Sequence, residues 1–258
     1  MWDTLIISPF VNILLFIYQL FTNFGIAIIL FTILIRLVTH PLTVKQLKGT
    51  QAMQSLQSDK RWIDMQKKYK GEKDKLAAEQ MKLYKEMGIN PMASCLPTII
   101  QFPIIIGLYQ AIIRSLANTP LQMFDLIKVI YPSIINVATL IPINNQFLWM
   151  DLSQPERLYI PGIAIGIPVL AILVVITTYF QSKLMTPPQG NPQDQTAMMG
   201  NMMSIYMPFL MGYLAYTLAS GLALYFITSN VVGIIQYSML GKVNWRNLLP
   251  ARKPVQTK

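Results

Sequence analysis

Arg36 is the residue that carries most chemical information in this chain. It stands in the run Phe31-Thr32-Ile33-Leu34-Ile35-Arg36-Leu37-Val38, with apolar side chains on both sides. A guanidinium keeps its charge in proteins, and placing one at the centre of a bilayer costs at least ~2.5–3.5 kcal/mol on insertion scales. It therefore faces a partner or water. Every carboxylate of the chain lies outside the apolar runs, so none is placed to pair with it. An unpaired Arg in that position needs hydration, which implies a water-filled cavity open to the cytoplasm. The alternative is snorkelling: Pro41 lies five residues on, or ~7.5 Å along a helix. On the residues alone both readings stand. Thr32, four residues earlier, shares the helix face of Arg36.

The other polar groups within apolar runs are few: Gln101, Gln110, Gln181, Asn230 and Gln236. Interhelical hydrogen bonding is the simplest role for each. The methionines Met198, Met199, Met202, Met203, Met207 and Met211 are explained most simply by packing, or else form a surface that adapts to varied apolar partners. Gly162 and Gly166 make a weak GxxxG packing signal. A lone Cys95 forms no intramolecular disulfide, and a lone His40 provides no histidine cluster for a metal. There is no paired carboxylate inside the apolar runs, no nucleophile elbow, no phosphate-cradling glycine loop and no internal repeat. No catalytic residue, cofactor site or metal site is expected, and the chain does not read as an enzyme.

The elements that must position these groups are set by composition. Of 258 residues 53% are hydrophobic and 12% charged, against roughly 25% charged in ordinary soluble domains; mean hydropathy is +0.43. This excludes an ordinary soluble enzyme, a disulfide scaffold and a disordered chain. The expected fold class is all-α, a polytopic membrane protein with five transmembrane helices in one domain, each long enough for a ~30 Å core. The spans are placed at 18–41, 93–116, 160–184, 199–219 and 222–240. An interfacial segment at 1–17 carries apolar residues at helical spacing. A surface loop with a short interfacial helix occupies 117–159, and a loop occupies 185–198.

The net charge of +10 is sorted along the chain. Eleven Lys and Arg with six acids fall between Lys45 and Glu86, and five more basic residues without an acid lie in the tail at 241–258. The positive-inside rule then puts the N-terminus outside and the polar stretch, the 185–198 loop and the tail in the cytoplasm. The start Met1-Trp2-Asp3 has neither a basic n-region nor a small-residue cleavage site after it. The stretch 42–90 is expected to form a cytoplasmic helical hairpin between the first two spans. Its first helix covers 42–70, Gly71 breaks it, and Gly88 sits where a C′ glycine belongs.

These features resemble the YidC/Oxa/Alb family of membrane protein insertases. The resemblance runs over nearly the whole chain: Asn23-Phe24-Gly25, Thr32 through Arg36, Pro41-Leu42, Tyr84, Asn90-Pro91-Met92-Ala93-Ser94-Cys95-Leu96-Pro97, Gln101-Phe102-Pro103-Ile104, Leu108-Tyr109, Ser220-Gly221-Leu222-Ala223-Leu224-Tyr225, Ser229-Asn230 and Gln236. The order and spacing of these pieces, rather than any one of them, carry the resemblance, which is to the short bacterial form with five spans in the plasma membrane.

The resemblance implies a mechanism. Arg36 would sit in a hydrophilic groove and capture the acidic extracellular tail of a nascent membrane protein. The substrate's apolar helix would pass along the lipid side and be released into the bilayer, alone or with the Sec translocon. Thr32 and Phe226 would face the passing helix, with Gln181 helping to line the groove and Tyr225 beside it. Family members often carry Tyr or Trp at the position of Phe226, which gives the apolar contact without a polar tip. Nascent membrane proteins and the lipid bilayer are the implied partners, with a monomer as the expected state. The basic tail suits ribosomal RNA or anionic lipid, and the hairpin offers the ribosome a second contact. A transporter or channel with Arg36 as an anion site is the competing class, and a scaffold for membrane complexes is a third.

Overall fold

The computed structural model describes residues 1–57, 59–69, 71–88, 96–116, 119–132, 134–135, 140, 143–159, 166–185 and 195–241. Cys95, Gly162, the motif at 90–95, the loop at 186–194 and the basic tail beyond Gly241 lie outside them. So does the sequence between residues 160 and 165, where the third span was expected to begin.

The described residues are mostly helical. A π-helical turn at Asp3–Ile7 leads into α1 (Ser8–Phe21), followed by α2 (Phe24–Val38), α3 (His40–Gln57), α4 (Lys60–Lys68), α5 (Lys73–Glu86), α6 (Leu96–Ser115) and α7 (Pro120–Val129). A two-stranded antiparallel ribbon follows, β1 (Gln146–Phe147) with β2 (Met150–Asp151). The chain then forms α8 (Val169–Met185), α9 (Gln195–Thr217) and α10 (Ser220–Met239). Among the described residues two helices, Asp3–Phe21 and Ser220–Met239, are long and apolar enough to cross a membrane. Phe24–Val38 with His40–Gly49 makes a third if that pair, bent by 52°, is one span.

Several boundaries differ from the sequence expectation, each for a local reason. The break expected near residue 17 falls at Thr22, whose left-handed φ of 53° ends α1 with its N–H on the Tyr18 carbonyl. Asn23 then caps α2 by accepting from the Ile26 N–H at 3.1 Å. Pro41 supplies no N–H and crowds the carbonyl four residues back, which accounts for the bend between α2 and α3. The single helix expected over 42–70 is two, because Asp59 accepts from the Arg61 N–H and starts α4 anew. Before α8, Leu158 and Ile167 pair as an isolated β-bridge instead of continuing a helix. Gly88 has the expected left-handed φ, 65°, after the last turn of α5.

α10 packs against both α2 and α8, α9 covers α8, and α6 contacts α10. In lipid the association of such helices rests on close packing and interhelical hydrogen bonds rather than on release of water. One end of the bundle is tightly closed. A Cβ on Gly221 would lie 3.1 Å from both Ile28 of α2 and Ile112 of α6, so the three helices touch there. The loop after the ribbon seals that end: Ser220 N–H donates to the Gln154 carbonyl at 2.8 Å and Gly221 N–H to the Leu152 carbonyl at 3.2 Å. Buried Glu156 accepts from Trp149 Nε1 and from the Leu170 N–H, both at 3.1 Å, and so places a carboxylate at the N-terminus of α8.

Both ends of Asp3–Phe21 meet this same closed end. Trp2 donates to Gln110 and Asp3 pairs with Arg114 at 2.6 Å, both near the C-terminus of α6, while Phe21 connects directly into the first turn of α2. The helix therefore lies against the closed half of the bundle, with Phe10 edge-on to Phe31 at 5.1 Å. At the opposite end α4 and α5 form a pair of their own, held by buried Leu56, Trp62, Leu83 and Tyr84, with the two rings 5.6 Å apart.

Candidate functional site

A cavity of about 320 Å³ occupies the end of the bundle opposite the ribbon. Its walls come from the end of α2 and the turn after it (Arg36, Thr39), the second half of α8 (Gln181, Met185), the first half of α6 (Gln101), the second half of α9 (Met207, Met211) and α10 from Tyr225 to Tyr237. No cavity-lining residue of α2 lies before Ile35. The space thus begins on the α3–α5 side and stops about two turns short of the closed layer on α2 and α6, at Ile35 and Ile105, and about one turn short on α10, at Tyr225.

Arg36 sits in the last turn of α2, where a cation meets the negative end of the helix dipole. Its Nε and one terminal nitrogen donate to the Ser229 hydroxyl of α10 at 2.9 and 2.6 Å. Neither this contact nor any ion pair joins Arg36 to a carboxylate among the described residues. The bend after α2 denies the Arg36 carbonyl its usual helical donor. Gln236 takes that place, donating at 3.0 Å. The guanidinium is partly exposed while Ser229 and Gln236 are buried, so the charge is fixed from behind and faces the cavity.

Gln181 comes to the same spot because residue 233 is a glycine. A Cβ there would stand 2.7 Å from the Gln181 amide nitrogen and 3.7 Å from the guanidinium carbon of Arg36. Gln101 donates to the Tyr225 hydroxyl at 2.7 Å, which ties α6 to α10 across the cavity. Asn230 donates to Thr177 and Thr178 at 3.0 and 2.8 Å and ties α10 to α8. The role expected of the intramembrane amides, bonding between helices, is thus seen at Gln101, Asn230 and Gln236, and at Gln110 through Trp2. The same cavity is also lined by the apolar side chains of Ile35, Phe102, Ile105, Met207, Met211 and Phe226.

Four of the five residues singled out from the sequence therefore line one cavity: Arg36, Gln181, Tyr225 and Phe226. Thr32 does not. It is fully buried, and its hydroxyl donates to the Ile28 carbonyl of its own helix at 2.6 Å. Helical spacing places Thr32 on the face of Arg36, but one turn deeper, where the helices already touch. The residue that sequence reasoning missed is Ser229. The available signal was the run Tyr225, Ser229, Gly233 and Gln236 at spacings of four, four and three, a polar and small stripe on one face of an otherwise apolar helix.

The walls carry, among the described residues, a fixed cation, amides and hydroxyls but no carboxylate or histidine. Among the described residues no group of three or more His, Cys, Asp or Glu could hold a metal ion. The cavity thus sets the Arg36 cation among neutral polar groups and apolar side chains.

The family model described as the 60Kd inner membrane protein matches residues 16–246. The membrane protein insertase YidC 2 of Listeria innocua is 35% identical over 240 residues, covering 91% of this chain and 70% of the relative. The insertase YidC of Syntrophobacter fumaroxidans is 34% identical over 91% of this chain. A solved structure of an active YidC insertase, with its first transmembrane domain resolved, matches with a TM-score of 0.56 and 28% identity over 92% of this chain. The chain spans only 37% of the Syntrophobacter protein and 47% of the solved chain. Together with the helical bundle and its Arg-bearing cavity, these matches place the chain in the YidC/Oxa/Alb family. It is a multi-pass membrane protein.

Proposed function

We propose that this chain inserts membrane proteins by receiving an acidic extracellular tail in the Arg36 cavity and letting the adjoining apolar helix leave through the lipid. The observation that supports it most is the cavity's lining, which combines an unpaired cation with apolar side chains. Arg36, held by the neutral Ser229 hydroxyl, has no carboxylate partner among the described residues and shares its cavity with Phe102, Met207, Met211 and Phe226. A substrate with an acidic tail ahead of an apolar span presents the complementary pair. The cavity hydrates the tail partway across and so shortens the apolar barrier, leaving the closed layer at Gly221 to be crossed. With the outside positive, the membrane potential favours outward movement of each negative charge by ~2.3 kcal/mol per 100 mV, so no chemical step by the protein is required.

In this reading α3–α5, rich in Lys and Arg, lie in the cytoplasm with the C-terminal tail, and the ribbon and N-terminus lie outside, as the charge bias requires. Asp3–Phe21 rests in the outer interface, since both its ends are tied to one end of the bundle. The spans are the five expected from the sequence, with the first beginning at α2. The Sec translocon and the ribosome are partners by analogy with the family, and the protein acts as a monomer.

Photo-crosslinkers placed at Phe226 and Met207 in the full chain test this path against a ribosome-stalled membrane protein. Adducts that move from one position to the other as the substrate lengthens are expected. Absence of adducts at both positions, with the nascent chain still membrane-bound, contradicts the path.

A further inference from the structure

α8 presents two faces, and only one of them belongs to the Arg36 cavity. Thr178, Gln181 and Met185 line that cavity. Ile176, Tyr179, Phe180 and Lys183 form a stripe at i, i+3, i+4 and i+7 on the opposite face. Beside the first three of these lies a separate cleft of about 260 Å³, walled on the other side by Ile205, Pro208 and Phe209 of α9.

The cleft has a structural cause. α8 and α9 are in close contact at Gly212, where Val175 occupies the space a side chain would need. Pro208, one turn back along α9, removes a helical hydrogen bond and the bulk of a longer side chain, and the helices leave a wedge. The rim is exposed and apolar: Ile176, Tyr179, Phe180, Ile205 and Phe209 are each between 41 and 65% exposed. In a membrane protein the medium at such a surface is lipid. A bilayer alone would not specify which lipid, but the stripe ends in a cation. Lys183 Nζ lies 5.7 Å from the centre of the Tyr179 ring, one turn beyond the cleft and at the end of the bundle from which α3–α5 project.

We infer that the α8–α9 cleft, with Lys183 at its end, is a binding site for one anionic phospholipid. An acyl chain fills the cleft between Tyr179, Phe180 and Phe209, and the phosphate meets the Lys183 ammonium. The pairing combines a preformed apolar slot with opposite charge at headgroup depth, and the Lys stem covers the Tyr179 ring between them. The site is independent of substrate handling at Arg36.

The test uses the full chain purified in detergent and offered equal amounts of phosphatidylglycerol and phosphatidylcholine with identical acyl chains. Retained lipid is counted by native mass spectrometry. Wild type is expected to prefer phosphatidylglycerol about fivefold, the scale of one basic side chain acting on an anionic headgroup. Lys183→Gln is expected to bring the two lipids to parity, and Lys183→Arg to keep the preference. Ile205→Trp, which fills the cleft from its exposed rim, is expected to reduce retention of both, and Ile176→Trp gives the same reading from the other wall if the first variant is unfolded by circular dichroism. No preference in wild type, a preference that survives Lys183→Gln, or undiminished retention in the folded tryptophan variant overturns the inference.

Discussion

Arg36 gains its fixed position from three neighbours that each do a different job. Ser229 accepts two of its N–H groups, Gln236 satisfies its carbonyl, and Gly233 leaves room for Gln181 beside it. Ser229→Ala should destabilise the detergent-solubilised protein by about 1–3 kcal/mol, the range for losing a hydrogen bond to a charged group. Ser229→Thr, which keeps an oxygen at the same point, should recover most of that in a thermal unfolding measurement. Gly233→Ala puts a methyl against the Gln181 amide, the far end of a flexible side chain, and should cost less than the ~1–3 kcal/mol of ordinary overpacking while displacing the amide from Arg36. An unchanged unfolding temperature in the alanine variant would show that Gln181 moves aside freely. Arg36 was legible in the sequence because a charge in an apolar run has few explanations. Ser229 was not, since a serine in a membrane helix is ordinary and its partner lies 193 residues away. Thr32 was expected to face the passing helix through the family resemblance, and helical periodicity, which puts it on the face of Arg36, says nothing of depth.

At the scale of elements, the cavity exists because one end of the bundle is packed shut and the other is held apart. The closed layer rests on Gly221 between Ile28 and Ile112. Gly221→Val should destabilise by about 1–3 kcal/mol through forced side-chain and backbone shifts, and hydrogen exchange should rise first in the early turns of α10. Exchange confined to α4 and α5 in that variant would contradict the assignment. The α4–α5 pair depends on a different device. The Arg61 N–H bonded to Asp59 holds its carboxyl below the ordinary carboxylate range. A lowered folded-state value means this cap is fully in place above the ordinary range and lost as pH falls through the lowered value. Exchange in the first turn of α4 should therefore increase on acidification, and Asp59→Asn should remove that dependence. The apolar helices were readable from composition and length, since 18–25 apolar residues admit few folds. Their boundaries were not. The breaks at Thr22 and between α3 and α4 are set by a left-handed residue and a capping bond, which leave no trace in hydropathy.

For the whole molecule, the sorted charge and the one-ended cavity agree on a direction. The Lys- and Arg-rich helices project from the end where the cavity lies, and the ribbon, with Glu156 and Asp151 engaged in its loop, covers the other. In a Cys95→Ser background, a cysteine at Lys75 should react with an impermeant thiol reagent only after the membrane is opened, and one at Leu148, which is 72% exposed, should react in intact cells. The reverse pattern would invert the proposed orientation. The central claim concerns the charge at residue 36, and its most direct test is insertion of a small membrane protein with an acidic extracellular tail in cells depleted of the wild-type chain. A charge contact at 4 Å is worth about 1–4 kcal/mol between water and a partly desolvated site, so Arg36→Glu should lower insertion by more than about tenfold, which 1.4 kcal/mol already gives. Arg36→Lys should retain most activity, because the cavity needs a cation rather than a guanidinium. Equal insertion by the Glu and Lys variants, both present at wild-type levels, would contradict electrostatic capture by Arg36.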